Sequence, residues 1–325
     1  MPRRDGTLLG SWKLAVGSWQ LEVDGLQSAR MRYALLIAVA FSVVLSAQTS
    51  PLSNDARAQF HGPYSQPEEA FRLIGNIYYV GAKNIASYLI VTPQGNVLID
   101  TGTTEMTSVI KANVEKLGFK LRDIKIMLSS HAHFDHVGGH AAMKALTGAK
   151  VMAIKQDADA LQAGKDLSPL GDEGWAPVKV DRVLKDGDTV KLGGTTLRAV
   201  WAPGHTPGCT VWTTDVTDGG KNYNVAIFGC GGPNGGVKLV GNQQFPTLVA
   251  DTMGTFRKLK MLTPDIYVTG HPQMLFAGKI ERMKNNERPH PLLDPGARAW
   301  TKMLDDAQAA FEKRVAAERA QSSSR

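Results

Sequence analysis

Short apolar runs punctuated by Gly, Asn and Pro open the body of the chain. Segments 71–74, 77–80, 87–91 and 96–100 are each four or five residues long, rich in β-branched and aromatic side chains, and separated by turn formers. That pattern predicts a β-meander. The period then lengthens: Met106, Val109, Ile110, Val114 and Leu117 recur at helical spacing, with Thr104 placed to cap the start and Gly118 to stop the end. A strand at 124–129 follows, then a helix from Val137 to Leu146 ended by Gly148. Beyond it, 150–154 reads as extended, 156–163 as helical, and 180–184, 189–192 and 196–201 as extended. A hairpin turning at Gly219 and Gly220 joins 210–216 to 223–228, and a helix over 246–262 precedes a strand at 266–269. In the tail, 295–319, Trp300, Met303, Leu304, Ala307, Phe311 and Val315 share one helical face. Two β-rich halves, each followed by helices, predict two stacked sheets with helices outside.

Length and charge narrow the picture. The 325 residues, 43% of them hydrophobic, suffice for one large domain with a buried core. The formal charge is +7, but the basic residues are scattered, without a Lys/Arg tract or interleaved aromatics, which argues against a nucleic-acid partner. Near the N-terminus Arg30 and Arg32 flank Met31, and an apolar run at 34–45 leads to Ser46 and Ala47. This is the pattern of a cleaved secretory signal. We expect a start at Met31, cleavage near Ala47, a single domain over 48–325 after the N-terminal 1–47, and a periplasmic mature protein. The apolar run is short for a transmembrane span, so no membrane anchor is expected in the mature form. Two cysteines, Cys209 and Cys230, suit an exported protein with one disulfide. With Gly219 and Gly220 as a two-residue turn they fall opposite each other across the hairpin. In the loop-entropy model a bridge closing about 22 residues contributes on the order of 3 kcal/mol.

The candidate chemistry concentrates in Ser130-His131-Ala132-His133-Phe134-Asp135-His136, directly after the strand at 124–129. His131 and His133 are two apart, so on extended backbone both imidazoles project to one side, while Asp135 and His136 can turn toward a second point. Two further histidines hang from strand-end loops fixed by Gly and Pro: His205 in Pro203-Gly204-His205-Thr206-Pro207-Gly208, and His271 in Thr269-Gly270-His271-Pro272. His61, His140 and His290 lack that setting and read as exposed or hydrogen-bonded histidines. Two metals need about six protein ligands, and the sets His131, His133, His205 and Asp135, His136, His271 would supply them. Imidazole and carboxylate ligands without thiolate suit zinc. Zinc-bound water ionises near pH 7, so hydrolysis with two Zn2+ is the chemistry expected.

The HxHxDH run, followed in order by His205 and His271, resembles the metallo-β-lactamase superfamily over nearly all of residues 71–290. The resemblance implies an α+β fold, an αββα sandwich of two mixed sheets flanked by helices, with the zinc site at the edge between the sheets. It implies that Asp100, in Leu98-Ile99-Asp100-Thr101-Gly102, orients the site from behind the ligands. Members that hydrolyse thioesters, lactones or phosphodiesters carry an extra bridging Asp. The matching stretch here, Ile227-Phe228-Gly229-Cys230-Gly231-Gly232, has no carboxylate, which is the arrangement of the β-lactamases. Among those, one subclass has Arg in place of His136 and the mono-zinc subclass has Asn in place of His131. With His at both positions, this chain resembles subclass B3. Cys230 falls near the thiolate ligand of the other subclasses, but with His136 present and Cys209 opposite, a disulfide is expected instead.

The implied activity is opening of the β-lactam ring of penicillins, cephalosporins and carbapenems, conferring antibiotic resistance, by a zinc-bridging hydroxide that Asp135 orients. The partner is then a small-molecule β-lactam, and a monomer is expected. Where the family places a Ser-rich stretch against the substrate carboxylate, this chain reads Gly231-Gly232-Pro233-Asn234-Gly235-Gly236, leaving Asn234 and the backbone at Gly232 as candidate contacts. Phe60, Tyr64 and the loop 167–175 are candidates to cover the site. Hydrolysis of lactones or other esters on the same fold is the alternative. A flavodiiron-type oxidoreductase would need Glu at position 133 and a flavin domain, and a non-catalytic scaffold would be expected to have lost ligands.

Overall fold

The computed structural model describes residues 62–171 and 173–323. The expected signal segment, Phe60 and His61 lie outside the described residues. Among the described residues, twelve strands form two sheets. The first runs in sequence order: β1 Phe71–Ile74, β2 Ile77–Tyr79, β3 Tyr88–Thr92, β4 Gly95–Ile99, β5 Ile124–Leu128, β6 Lys150–Ile154 and β7 Arg182–Leu184. Its first four strands make the antiparallel meander and the remaining pairings are parallel. The second sheet comprises β8 Thr189–Leu192, β9 Thr195–Trp201, β10 Thr210–Asp218, β11 Lys221–Phe228 and β12 Ile266–Thr269, antiparallel except where β12 joins β11. The helices are α1 Met106–Lys116, α2 Phe134–Val137, α3 His140–Thr147, α4 Lys155–Ala163, α5 Leu248–Leu259, α6 Ile280–Lys284 and α7 Arg298–Ser323.

Strand alternation decides the layering. Tyr88, Ile90, Val97 and Ile99 of the first sheet meet Trp212, Val225, Ile227 and Val268 of the second in a shared central core. The residues between them, Leu89 and Leu98, turn to the opposite face and pack on Met106 and Ile110 of α1 and Met143 of α3. On the second sheet Ala226, Phe228 and Tyr267 likewise pack on Phe256 of α5 and on Trp300 and Leu304 of α7. Each fully buried Leu, Ile or Phe contributes about 1.5–3 kcal/mol, so the three apolar layers hold the αββα sandwich together. β5 breaks strict alternation: Ile124 packs outward and Ile126 inward. The pairing with β4 shifts register there, and this irregularity reverses the sides. No described helix is long and apolar enough to cross a membrane.

Two local expectations are corrected. Thr104 does not cap α1; its hydroxyl donates to the Gly138 carbonyl, and Glu105 occupies the cap position without a side-chain capping bond. The helix expected over 137–146 is divided: α2 is a single turn beginning at Phe134, and α3 begins at His140. The earlier turn arises because the Val137 N–H reaches the His133 carbonyl, drawing Asp135 and His136 into helical backbone. α3 does end at Gly148, whose φ of 70° is left-handed.

Candidate metal centre

The centre lies where segments leaving the C-terminal ends of β4, β5, β9, β11 and β12 converge at one edge of the sandwich. Cross-sheet bonds lock that edge: Trp212 Nε1 donates to the Ser129 carbonyl at 2.9 Å, the Thr210 N–H to Ser130 O at 2.7 Å, and Tyr88 Oη to Thr269 O at 2.6 Å. Two glycines permit the close approach. A Cβ on Gly270 would sit 2.6 Å from His136 Cε1, and one on Gly229 would sit 2.5 Å from Ser130 Oγ.

His131, His133 and His205 meet here, with ring centroids 4.8, 4.5 and 4.6 Å apart in the three pairings. One nitrogen from each falls within 4.8 Å of the others, as do ligand atoms of His131, Asp135 and His136. Asp135 Oδ2 lies 3.5 Å from both His136 Nε2 and His271 Nε2, and those two nitrogens are 3.3 Å apart. The structure thus brings together all six residues that the sequence singled out.

In four of the histidines, one ring nitrogen is held by an outer partner. His131 Nδ1 is 3.1 Å from Ser130 Oγ, which donates to Asp100 Oδ2 at 2.7 Å. His136 Nδ1 is 3.0 Å from the same Oδ2, and the Ser130 N–H donates to Asp100 Oδ1. Asp100, held at a φ of 60°, therefore fixes a ring on each side of the centre. His133 Nε2 is 3.0 Å from Ser168 Oγ, and His205 Nδ1 donates to the Gly232 carbonyl at 2.9 Å.

These outer bonds leave His131 Nε2 buried without a partner among the described residues and set His136 Nε2 against His271 Nε2. A buried lone pair without a donor is costly, and two facing acceptor nitrogens require a proton or a cation between them. The donor set fits a metal on an observation independent of motif. Electrostatics agree. Burial pushes His133 and His271 down to about 4 and His205 to about 3, and holds His131 well below its ordinary value, so these rings stand neutral and ligand-ready. Burial also acts to lower His136, but Asp135 and Asp100 outweigh it and raise it. For Asp135 burial acts upward, yet His136 and His271 bring it below the usual carboxylate range.

Sequence reasoning missed several supporting residues. Asp157, at the start of α4, is 2% exposed and ties the two ligand loops together. Its Oδ2 accepts from the Ala132 N–H at 2.8 Å and Thr206 Oγ1 at 3.0 Å, and its Oδ1 from the Gly208 N–H at 2.9 Å. Burial raises it to about 7 against those three bonds. Ser168 is the second, and Arg314 of α7 the third: its guanidinium donates to the carbonyls of Pro233, Asn234 and Val237 and so pins the glycine-rich loop. A lone Asp or Arg far along the chain carries no local signal for such a role.

Of the candidate substrate contacts, Asn234 lines the cavity of about 230 Å³ over the histidines, together with Tyr64, Phe134 and Leu170. Gly232 instead lends its carbonyl to His205. Cys209 and Cys230 form a disulfide with Cα atoms 6.0 Å apart, continuing the hairpin register, so the Cys230 sulfur is no thiolate ligand. His140 is buried against Thr101 Oγ1 and His290 bonds the Leu73 carbonyl; neither joins the centre.

A fold of this layering with this centre at its sheet edge defines a metal-dependent hydrolase, and comparison with known proteins agrees. Residues 80–271 match the family model described as the metallo-beta-lactamase superfamily, and the chain belongs to that superfamily. It is similar to the native FEZ-1 metallo-beta-lactamase from Legionella gormanii, at 37% identity over 78% of this chain and 98% of that one, with a TM-score of 0.75. BJP-1, a subclass B3 metallo-beta-lactamase of Bradyrhizobium japonicum, shares 38% identity over 79% of this chain and 97% of that one, with a TM-score of 0.73. A hydroxyacylglutathione hydrolase of Rhodopseudomonas palustris (strain HaA2) is 37% identical over 119 residues, covering 37% of this chain and only 39% of that relative.

Proposed function

We propose that this protein is a β-lactam hydrolase of the subclass B3 kind, working with two zinc ions. His131, His133 and His205 would hold one, and Asp135, His136 and His271 the other. The observation that carries this reading is the second trio, with His136 in place and its Nε2 aimed at His271 and Asp135. Bound zinc would supply an electrophile for a carbonyl oxygen and a water acidified to a pKa near 7. The protein's own groups do the rest. Asp100 and Ser130 keep His131 and His136 in the tautomers that point Nε2 inward. The Asp135 carboxylate orients the attacking water. Asn234, which lines the smaller cavity, would receive the substrate carboxylate.

A second reading, thioester hydrolysis, is favoured by the local likeness to hydroxyacylglutathione hydrolases. Against it, the stretch 229–235 offers no carboxylate to bridge two metals. The test is turnover of a carbapenem, a homoserine lactone and S-lactoylglutathione by the purified protein, with bound zinc counted and with or without chelator. Chelator-sensitive carbapenem hydrolysis with two zinc ions per chain is expected. Turnover that resists chelation, or of the thioester or lactone alone, overturns the reading.

A further inference from the structure

The small cavity over the histidines has a larger neighbour, of about 640 Å³, which shares His205, Asn234 and His271 with it. We propose that this second chamber is a substrate subsite for an uncharged aryl or branched-alkyl substituent, which rests on the hydrolytic reading above and extends it to substrate class. Its inner wall is Phe228, Phe256, Tyr267 and Leu304, all members of the core cluster between the second sheet and α5 and α7. The core is thus left open toward the metal centre. A volume of this size is that of a small-molecule site, and water in an apolar chamber finds few partners.

The opposite rim is made of backbone. A Cβ on Gly231 or Gly235 would meet nothing within 4 Å, and neither residue has a positive φ. Neither strain nor crowding requires glycine there; what glycine leaves is room. Met303, beside the inner wall, and Met274, 76% exposed at the chamber's edge, add flexible apolar side chains that adapt to varied shapes.

Charge selects the ligand further. Among the described residues lining the two cavities none is Lys or Arg, and Asp306 is the acidic residue of the larger one. An anionic extension such as the carboxylates of a glutathione moiety, reaching past the metal ligands to the inner wall, would be desolvated there with no Lys or Arg to pair with and beside Asp306. A neutral apolar group meets no such penalty.

The test compares substrates that differ only in this group. For a pair of β-lactams bearing either benzyl or methyl at the same position, Ala307→Trp, which fills the chamber from α7, should raise KM for the benzyl substrate about tenfold or more and leave the methyl substrate unchanged within about twofold. Zinc content and thermal midpoint confirm that the variant is folded and loaded. Equal effects on both substrates overturn the proposal. A second measurement needs neither turnover nor the variant: titrating neutral N-benzylacetamide into the zinc-loaded protein labelled with 13C-methyl methionine should shift Met274 and Met303, whereas benzoate should not. If no β-lactam is hydrolysed while both methyls respond, the function fails and the chamber stands. If β-lactams are hydrolysed and neither methyl moves, the chamber fails and the function stands.

Discussion

Replacing Asp157 with Asn tests whether one buried carboxylate holds the two ligand loops in register. The side chain keeps its shape and loses one acceptor oxygen. In the native arrangement two backbone N–H groups and one hydroxyl point at the two oxygens. Whichever way the amide is turned, its NH2 faces the N–H of Ala132 or of Gly208, and that buried donor is left unmade. The loss is about 1–3 kcal/mol. For a domain of this size it lowers the thermal midpoint by roughly 2–12 °C, at ~2–4 °C per kcal/mol. Because Ala132 lies between His131 and His133, and Gly208 closes the His205 loop, zinc affinity should fall about 10- to 100-fold as well. Calorimetry of zinc-free and zinc-loaded protein, with a chelating dye in competition for the metal, reads both effects. A variant with native midpoint and native zinc affinity would refute the argument; a lowered midpoint with unchanged affinity would reduce Asp157 to a fold-stabilising role.

Three further outcomes are expected. Burial holds His140 down to about 4 against an ordinary 6.5, so as pH falls the unfolded chain takes the proton first and stability is lost between those values, roughly 3 kcal/mol in all; melting curves of zinc-free protein from pH 7 to 4.5 should be flatter for His140→Gln, and parallel curves would contradict this. Replacing Cys209 and Cys230 together with Ser should remove on the order of 3 kcal/mol of stability, read by urea unfolding, while metal analysis shows no zinc lost; loss of one equivalent would mean that the thiol is a ligand after all. Arg314→Ala releases three carbonyls of the glycine-rich loop and should raise KM several-fold with kcat preserved; an unchanged KM would show that the loop holds its shape without α7.

The chain by itself determined the layering and the metal-competent side chains. Both are written in local pattern: continuous apolar runs in β3, β4, β11 and β12 mark strands covered on both faces, and two histidines separated by one residue on extended backbone must project together. The glycine turn at 219–220 fixed the hairpin register, and with it the meeting of Cys209 and Cys230. What only the tertiary structure decided is which atoms face inward. Ser130, Ser168 and the Gly232 carbonyl choose the inner nitrogens of His131, His133 and His205, while Asp100 does so for His136. Such choices rest on partners up to 36 residues away, as from His136 to Asp100, and in the case of Asp157 and Gly208 up to 51. The register shift that turns Ile124 and Ile126 to opposite faces, the short turn of α2, and the chamber between β11, β12 and α7 are likewise products of packing. A hydrogen bond or a cavity depends on distance in space, and the order of residues along the chain constrains that distance only where the contact is local.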